Sequence, residues 1–396
     1  MHPHPCEPAG IYIHIPFCKK KCRYCDFYSI TGLSQAPSFI RALVQEMDMV
    51  CTAPLLFDTL YLGGGTPSLL KAEVIDSIID AVRNRFKFLK AAEITVEVNP
   101  GAVTFGQLKT YHRAGANRIN IGVQSFDQSN LDFLGRIHTA DDAIYVLNAS
   151  RKAGFENIGL DLIYGIPGQT VTSWLADLVK AVEFAPEHLA CYMLTYEPKT
   201  PLSIARKKGR FNPLSKKIVF DLFETTLTFL TTNGYEQYEI SNFSKKVIGS
   251  PGLRRSRHNQ KYWSAVPYLG LGPSAHSFYS PKRQWNHRSV RRYINDLNNG
   301  VLPIMGQEVL TRSQRMIEAF YLGLRRKNGI SFESFNQAFG VDFEQVIGDV
   351  IPDLEEKGLI KADQHHFALS QKGLLFLDSI TEMFITHPAF SAGTRL

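Results

Sequence analysis

The sequence predicts an α/β fold: a partial parallel barrel of six βα units, (β/α)6, followed by a C-terminal α+β region that reads as winged-helix-like. Three observations predict it. Strand-like runs alternate with helical patterns through the first 200 residues, the alternation then stops, and from about residue 312 helices lead into a short hairpin. Such alternation implies parallel strands joined by right-handed crossovers, and six units fall short of the eight that close a barrel. The expected division is a barrel over 1–200, a connecting region over 201–310 and the winged-helix-like region over 311–396.

Taken in order, the apolar or β-branched strand runs are GIYIHIPF (10–17), DTLYLGGG (58–65), AEITVEVN (92–99), NRINIGVQSF (117–126), NIGLDLIYGIPG (157–168) and HLACYMLTY (188–196). Helical patterns lie between them, for example over 68–86 and 139–155. In the second, Thr139 suits an N-cap and Gly154 a C-terminal stop. An amphipathic stretch over 215–233 leads into a Gly/Pro/aromatic segment, SPGLRRSRHNQKYWSAVPYLGLGPSAHSF, which reads as irregular. The tail then runs helix, helix and hairpin (LIKADQHHFALS).

At 396 residues the chain exceeds the usual span of one core, and 44% hydrophobic with 20% charged residues is an ordinary globular balance. No run of 18 apolar residues is present, so no membrane span is predicted. The opening MHPHPCEPAG has no apolar signal core, which predicts a reducing, cytoplasmic setting. The net charge of +7 gathers in runs at 19–21, 206–210, 254–257, 288–292 and 325–327. Runs of this kind are solvated faces or contacts for nucleic acid, anionic lipid or a polycarboxylate. Nucleic acid is the weakest of these. The stretch that would read DNA, 343–360, carries five acids (Glu344, Asp349, Asp353, Glu355, Glu356) against Lys357.

Six cysteines in so long a chain do not make a disulfide framework, but three of them crowd one loop. FCKKKCRYCDF (17–27) places Cys18, Cys22 and Cys25 just after the first strand. Structural zinc wants four Cys or His ligands, and Cys51 and Cys191 are isolated. A [4Fe–4S] cube fits better, because three thiolates anchor three irons and leave the fourth open to a substrate. Lys19 to Lys21 would offset the charge. Active sites of parallel barrels lie at the C-terminal strand ends. GGGTPS closes the second strand there, Glu97 the third and Gln124 the fourth, while Asp161 and Tyr164 fall late in the fifth.

Cys-x3-Cys-x2-Cys after the first strand, with YLGGGTP after the second, resembles the radical S-adenosylmethionine (SAM) superfamily. The resemblance implies SAM chelated at the open iron and cleaved to a 5′-deoxyadenosyl radical by an electron from the cluster. YIHIPFCKKKCRYCDF, GGGTPS, EVNP, IGVQSF, LGRIH and DLIYGIPGQT are similar to one branch, which holds HemN, the oxygen-independent coproporphyrinogen III dehydrogenase, and the HemW heme chaperones. It implies SAM contacts at Tyr12, Tyr24, Gly64 and Glu97, and a second SAM pocket at Gly65, Thr66, Gln124, Arg136 and Asp161. Glycines at a strand end let a ligand approach the backbone, so a side chain at Gly64 is expected to block SAM without unfolding the barrel.

Three departures separate the chain from the dehydrogenase. Phe27 stands where HemN has a further cysteine, and only seventeen residues precede Cys18 where HemN has a long arm. HNQKYW (258–263) resembles the heme-binding signature of HemW. It implies His258, Asn259, Tyr262 and Trp263 as heme contacts, with Arg254, Arg255 and Arg257 for propionates and His276 and His287 as spare ligands. The function so implied is a heme chaperone that delivers heme to hemoproteins such as respiratory enzymes and draws on an electron donor. The resemblance also accommodates peripheral membrane contact and a homodimer. The alternative is oxidative decarboxylation of coproporphyrinogen III.

Overall fold

Parallel strands that are apolar on both faces need cover on both faces. The computed structural model describes residues 7–50, 55–249 and 253–386, and Cys6 and Cys51 lie outside them. Six parallel strands run in chain order: β1 (Ala9–Ile15), β2 (Leu56–Gly64), β3 (Lys87–Val98), β4 (Arg118–Gln124), β5 (Ile158–Tyr164) and β6 (His188–Met193). Their crossovers carry α1 (Ala36–Met49), α2 (Ala72–Arg85), α3 (Phe105–Arg113), α4 (Gln128–Leu134) with α5 (Ala140–Lys152), and α6 (Val171–Glu183). In β1, Ile11, Ile13 and Ile15 are fully buried, and Tyr12 is the one position left partly open.

Local chemistry sets the helix ends. Thr104, Thr139 and Thr170 each accept a backbone N–H three residues on and open α3, α5 and α6. Gly154 follows α5 at φ +102°, as the sequence predicts. The amphipathic stretch after α7 (Pro201–Lys207) forms α8 (Lys216–Thr232), capped by Ser215.

The segment that reads as irregular is ordered by its neighbours. After β7 (Tyr235–Glu239) and β8 (Asn242–Lys245) it forms α9 (Arg257–Trp263), β9 (Tyr268–Leu271) and β10 (His276–Tyr279). β11 (Lys282–Asn286), α10 (Val290–Asn298) and β12 (Ile304–Val309) follow. β9 pairs parallel with β1, so the expected six parallel strands gain a seventh. Its four residues are too few to carry a strand signal, and pairing with β1 decides them. The whole is an open twelve-stranded sheet, β12-β11-β10-β9-β1-β2-β3-β4-β5-β6-β8-β7. Glu46 of α1 pins the added edge. It accepts bonds from Gly272 N at 2.8 Å, Asn286 Nδ2 at 2.6 Å and Tyr293 Oη at 2.6 Å.

The C-terminal region packs α11 (Arg312–Leu324) against a three-stranded sheet of β13 (Ile330–Ser331), β14 (Ile360–Ala362) and β15 (His366–Leu369). α12 (Phe332–Phe339), α13 (Phe343–Ile347), α14 (Ile351–Glu356) and α15 (Leu377–Thr386) complete it. Phe320 is its hub, with ring centroids 5.3 Å from Phe335, 5.4 Å from Phe343 and 4.7 Å from Phe384. The acidic stretch over 343–360 is therefore two short helices, α13 and α14, with Gly348 between them. Among the described residues no helix is long and apolar enough to cross a membrane.

Candidate functional site

Because a strand alternates its faces, Tyr12, Tyr61, Glu97, Asn120 and Asp161 fall on one wall of the barrel. Glu97 accepts from Tyr61 Oη at 2.6 Å and from Gly64 N at 3.2 Å. Burial pushes its carboxyl up to about 7, and the neighbouring Asp161 adds to the rise. Asp161 accepts from Asn120 Nδ2 at 2.8 Å and is itself pushed up to about 6, chiefly by burial. Both carboxyls rise chiefly by burial, Arg118 and Arg136 hold Asp161 back in part, and two raised carboxyls on one wall could take a cationic ligand.

The glycines at the end of β2 are needed by the fold as well as by any ligand. Gly64 has φ +102°, and a Cβ there would lie 2.5 Å from the His14 ring. At Gly65 a Cβ would lie 2.6 Å from the Phe17 carbonyl, in a turn closed by Gly65 N to Ile15 O at 2.7 Å and Thr66 N to Phe17 O at 2.7 Å. Gly64→Val therefore strains the β1–β2 junction and does not act only on an approaching ligand, which corrects the expectation from sequence.

The thiol loop starts at that junction. Thr66 Oγ1 reaches Cys18 Sγ at 3.6 Å and Arg136 Nη1 reaches Cys22 Sγ at 3.5 Å. Arg136 is anchored in turn by Asn99 Oδ1 and by Gly122 O at 2.6 Å. Tyr24 is packed beside it, its phenol pushed up by burial. The loop is tied down at Arg23, whose N–H donates to Leu134 O at 3.0 Å and whose carbonyl accepts from Leu202 N at 2.9 Å. Burial pushes the Cys25 thiol up to about 11, and Cys22 and Cys18 add to it. A bound metal would reverse that rise. Among the described residues no three Cys, His, Asp or Glu side chains draw close enough for a single ion. Three thiolates match a cube with one open iron and fall one short of the four ligands of structural zinc, so the donor set fits the cluster better. Gln124 closes β4 with φ +70°, a strained conformation for a residue with a side chain, at this same rim.

The structure brings Tyr12, Tyr24, Gly64, Gly65, Thr66, Glu97, Gln124, Arg136, Asp161 and the three cysteines to one mouth of the barrel, and it adds Tyr61, Asn99, Asn120 and His14. His14 takes Tyr12 Oη at 3.0 Å on one nitrogen and Tyr28 O at 2.8 Å on the other. The signal for Tyr61 and Asn120 is present in sequence as a polar group at every second position of an apolar strand.

The 258–263 segment enters from the opposite end, and its His258 ring reaches up to Tyr61, stacked at 5.1 Å between centroids, and to Tyr12 at 6.4 Å. α9 plugs the barrel floor, where Glu93 accepts the backbone N–H groups of Arg257 and His258 at 3.2 and 3.1 Å. Asp58 takes Arg257 Nη2 at 2.6 Å and Lys261 Nζ at 2.5 Å. His258 is 1% exposed, with Nδ1 2.8 Å from Thr59 Oγ1 and Nε2 2.9 Å from Tyr262 Oη. Burial lowers its pKa to about 3, so it is neutral, and both ring nitrogens are engaged. Trp263 stacks under the Arg325 guanidinium at 4.7 Å, and the Asn259 N–H donates to the cap Ser256. Arg255 pairs with Glu236 at 3.0 Å, and Arg254 donates to Glu156 O at 3.3 Å. His258→Ala is expected to lower stability by about 2–4 kcal/mol, since it removes a buried ring and strands the Thr59 hydroxyl. Denaturant midpoints check this, and an unchanged midpoint would free the imidazole from a structural role.

Comparison with known proteins follows the same lines. The radical SAM superfamily matches residues 12–181, and the HemN C-terminal domain matches 310–376. Heme chaperone HemW of Lactococcus lactis is 33% identical over 380 residues, covering 96% of this chain and 98% of that protein. Its Escherichia coli counterpart is 34% identical, with 96% and 98% covered. Among solved structures, coproporphyrinogen III oxidase (HemN) of Escherichia coli superposes with a TM-score of 0.81 at 24% identity, covering 96% of this chain and 90% of that one, a likeness of fold.

Proposed function

Since the chain belongs to the radical SAM superfamily and, within it, to the HemW heme chaperone family, we propose that it binds heme and hands it to acceptor proteins. The observation that carries the reading is a loop of three free cysteines in a chain that matches proteins named heme chaperone along nearly their whole length. Superfamily membership implies a [4Fe–4S] cluster and SAM. Cys18, Cys22 and Cys25 would hold the cluster, and Tyr12, Tyr24, Gly64, Gly65, Thr66, Glu97, Gln124, Arg136 and Asp161 would surround SAM. The cluster, when bound, supplies one-electron chemistry at an iron that no side chain caps. Arg136 and Thr66 orient the sulfurs, while Glu97 and Asp161 offer negative charge to a cation.

Heme is cargo in this reading. The acceptors are hemoproteins, respiratory enzymes among them, and a separate electron donor serves the cluster. The reading places the protein in the cytoplasm, with the basic runs available to anionic membranes and a homodimer as its assembly. It keeps the divisions at 200 and 310. His258, Asn259, Tyr262 and Trp263 of α9 are the heme contacts of this reading; Asn259, Tyr262 and Trp263 are half-buried, and the His258 ring is held by Thr59 and Tyr262.

Two assays on one anaerobically reconstituted sample test the function. The expected result is saturable hemin binding, at micromolar affinity or tighter, without conversion of coproporphyrinogen III. A releasable cargo needs no more than that, roughly −8 kcal/mol. Sustained turnover to protoporphyrinogen IX would replace this reading with the dehydrogenase. Phe27, 67% exposed where the dehydrogenase family has a cysteine, motivates the distinction.

A further inference from the structure

An imidazole that takes heme iron needs a ring nitrogen that is both unpartnered and reachable from outside. His14, His138, His188 and His258 are buried and hydrogen-bonded. His287 faces Asp296 at 3.7 Å. His365 precedes β15 and His366 opens it, in the C-terminal hairpin, and His112 lies edge-on against Phe155 at 5.2 Å. His276 differs from all of them. It is exposed, at the start of β10, and its ring has no hydrogen-bond partner among the described residues.

The sheet builds a shelf around it. His276, Trp285 and Gly306 are register neighbours across β10, β11 and β12. The imidazole stacks on the Trp285 indole, 5.9 Å between centroids at 24°. A Cβ at Gly306 would lie 2.5 Å from that indole, so the glycine lets the indole lie flat on the sheet. The same face continues as rings. Toward the floor, Phe278 lies 6.1 Å from Tyr268, and Tyr268 lies 4.7 Å from Tyr262 of α9. At the shelf's outer end Arg288 is half exposed and donates to the Asp26 carbonyl at 3.0 Å, beside Cys25. Burial, then the cations Arg283 and Arg288, lower the pKa of His276.

We propose that His276 is the axial imidazole for heme iron, held by Trp285, with Arg288 facing a propionate, on an aromatic shelf at the barrel mouth. The proposal rests on the heme-carrier reading and deepens it. The iron gains one nitrogen donor bond and no electron is transferred. Trp285 and Arg288 are positioning residues.

The test is hemin titration of the full reconstituted chain, read by the Soret band, with iron-free protoporphyrin IX in parallel. The expected result is that His276→Gly shifts the Soret band and weakens hemin binding at least tenfold, while leaving protoporphyrin IX binding within about twofold. Free imidazole added to His276→Gly should restore the wild-type band, which a merely structural role would not do. Arg288→Gln should weaken both ligands, more so at low salt than at high salt. An unchanged band in His276→Gly, with the band lost in His258→Ala, would overturn the proposal and move the ligand to the floor. Absence of hemin binding in the wild type would instead remove the heme-carrier reading itself.

Discussion

Replacement of Cys18, Cys22 or Cys25 by alanine is expected to strip most of the iron and the brown absorbance from anaerobically reconstituted protein. Three anchors hold three irons of the cube, and losing one leaves an iron open to solvent and oxygen as well as the one already open. The side chains that reach the sulfurs are the Thr66 hydroxyl and the Arg136 guanidinium, which donate to sulfur and do not ligate iron. Cys191 is the control. It is 2% exposed in the barrel wall, with its thiol pushed far up by burial, and Cys191→Ala should keep its iron. Cys6 and Cys51 are expected to be dispensable too. Iron and sulfide content per chain decides the matter, and a triple variant with wild-type iron would end the cluster assignment.

Glu97→Gln is expected to weaken SAM binding at least tenfold and to flatten its pH dependence. Burial holds the Glu97 carboxyl near 7, Asp161 pushes it the same way, and Tyr61 and Gly64 pull against them. Below about 7 the site carries a proton that a cationic ligand must displace, so wild-type affinity should fall by up to about tenfold per pH unit. The sign for stability is the reverse. A carboxyl raised from its unfolded value favours the ligand-free fold at low pH, and that contribution is lost as pH rises through about 7. Calorimetry between about pH 6 and 8 reads the first effect. An identical profile in the variant would take Glu97 out of the proposed SAM contacts.

Much of this was legible in residues 1–200 because parallel strands announce themselves twice, by apolar runs and by the helices between them. The mouth followed from topology once the strands were placed, since Glu97 and Gln124 close their strands. β9 and α9 were not legible. They are four and seven residues long, and their partners are β1 and the acids Asp58 and Glu93, far away in sequence. The motif around His258 showed which residue types meet, aromatic and imidazole, but not which end of the barrel they close. That depends on Glu93 accepting the first N–H groups of α9, a long-range contact that local pattern does not carry. The glycines after β2 stood out in sequence as a place for a ligand, yet their closest neighbours are His14 and Phe17 of the chain itself.

The parallel pairing of β1 with β9 has a temporal side. Gly10 finds its partner at Tyr268, so on a ribosome the first strand waits for roughly 258 residues, on the order of ten to fifty seconds at ordinary synthesis rates. Over that interval the nascent chain carries the loop of Cys18, Cys22 and Cys25 outside the tunnel with one flank of β1 bare and the floor missing. Maturation of the metal centre and completion of the sheet therefore run on different clocks, and a chaperone for heme has its own interval of dependence on protection from oxygen.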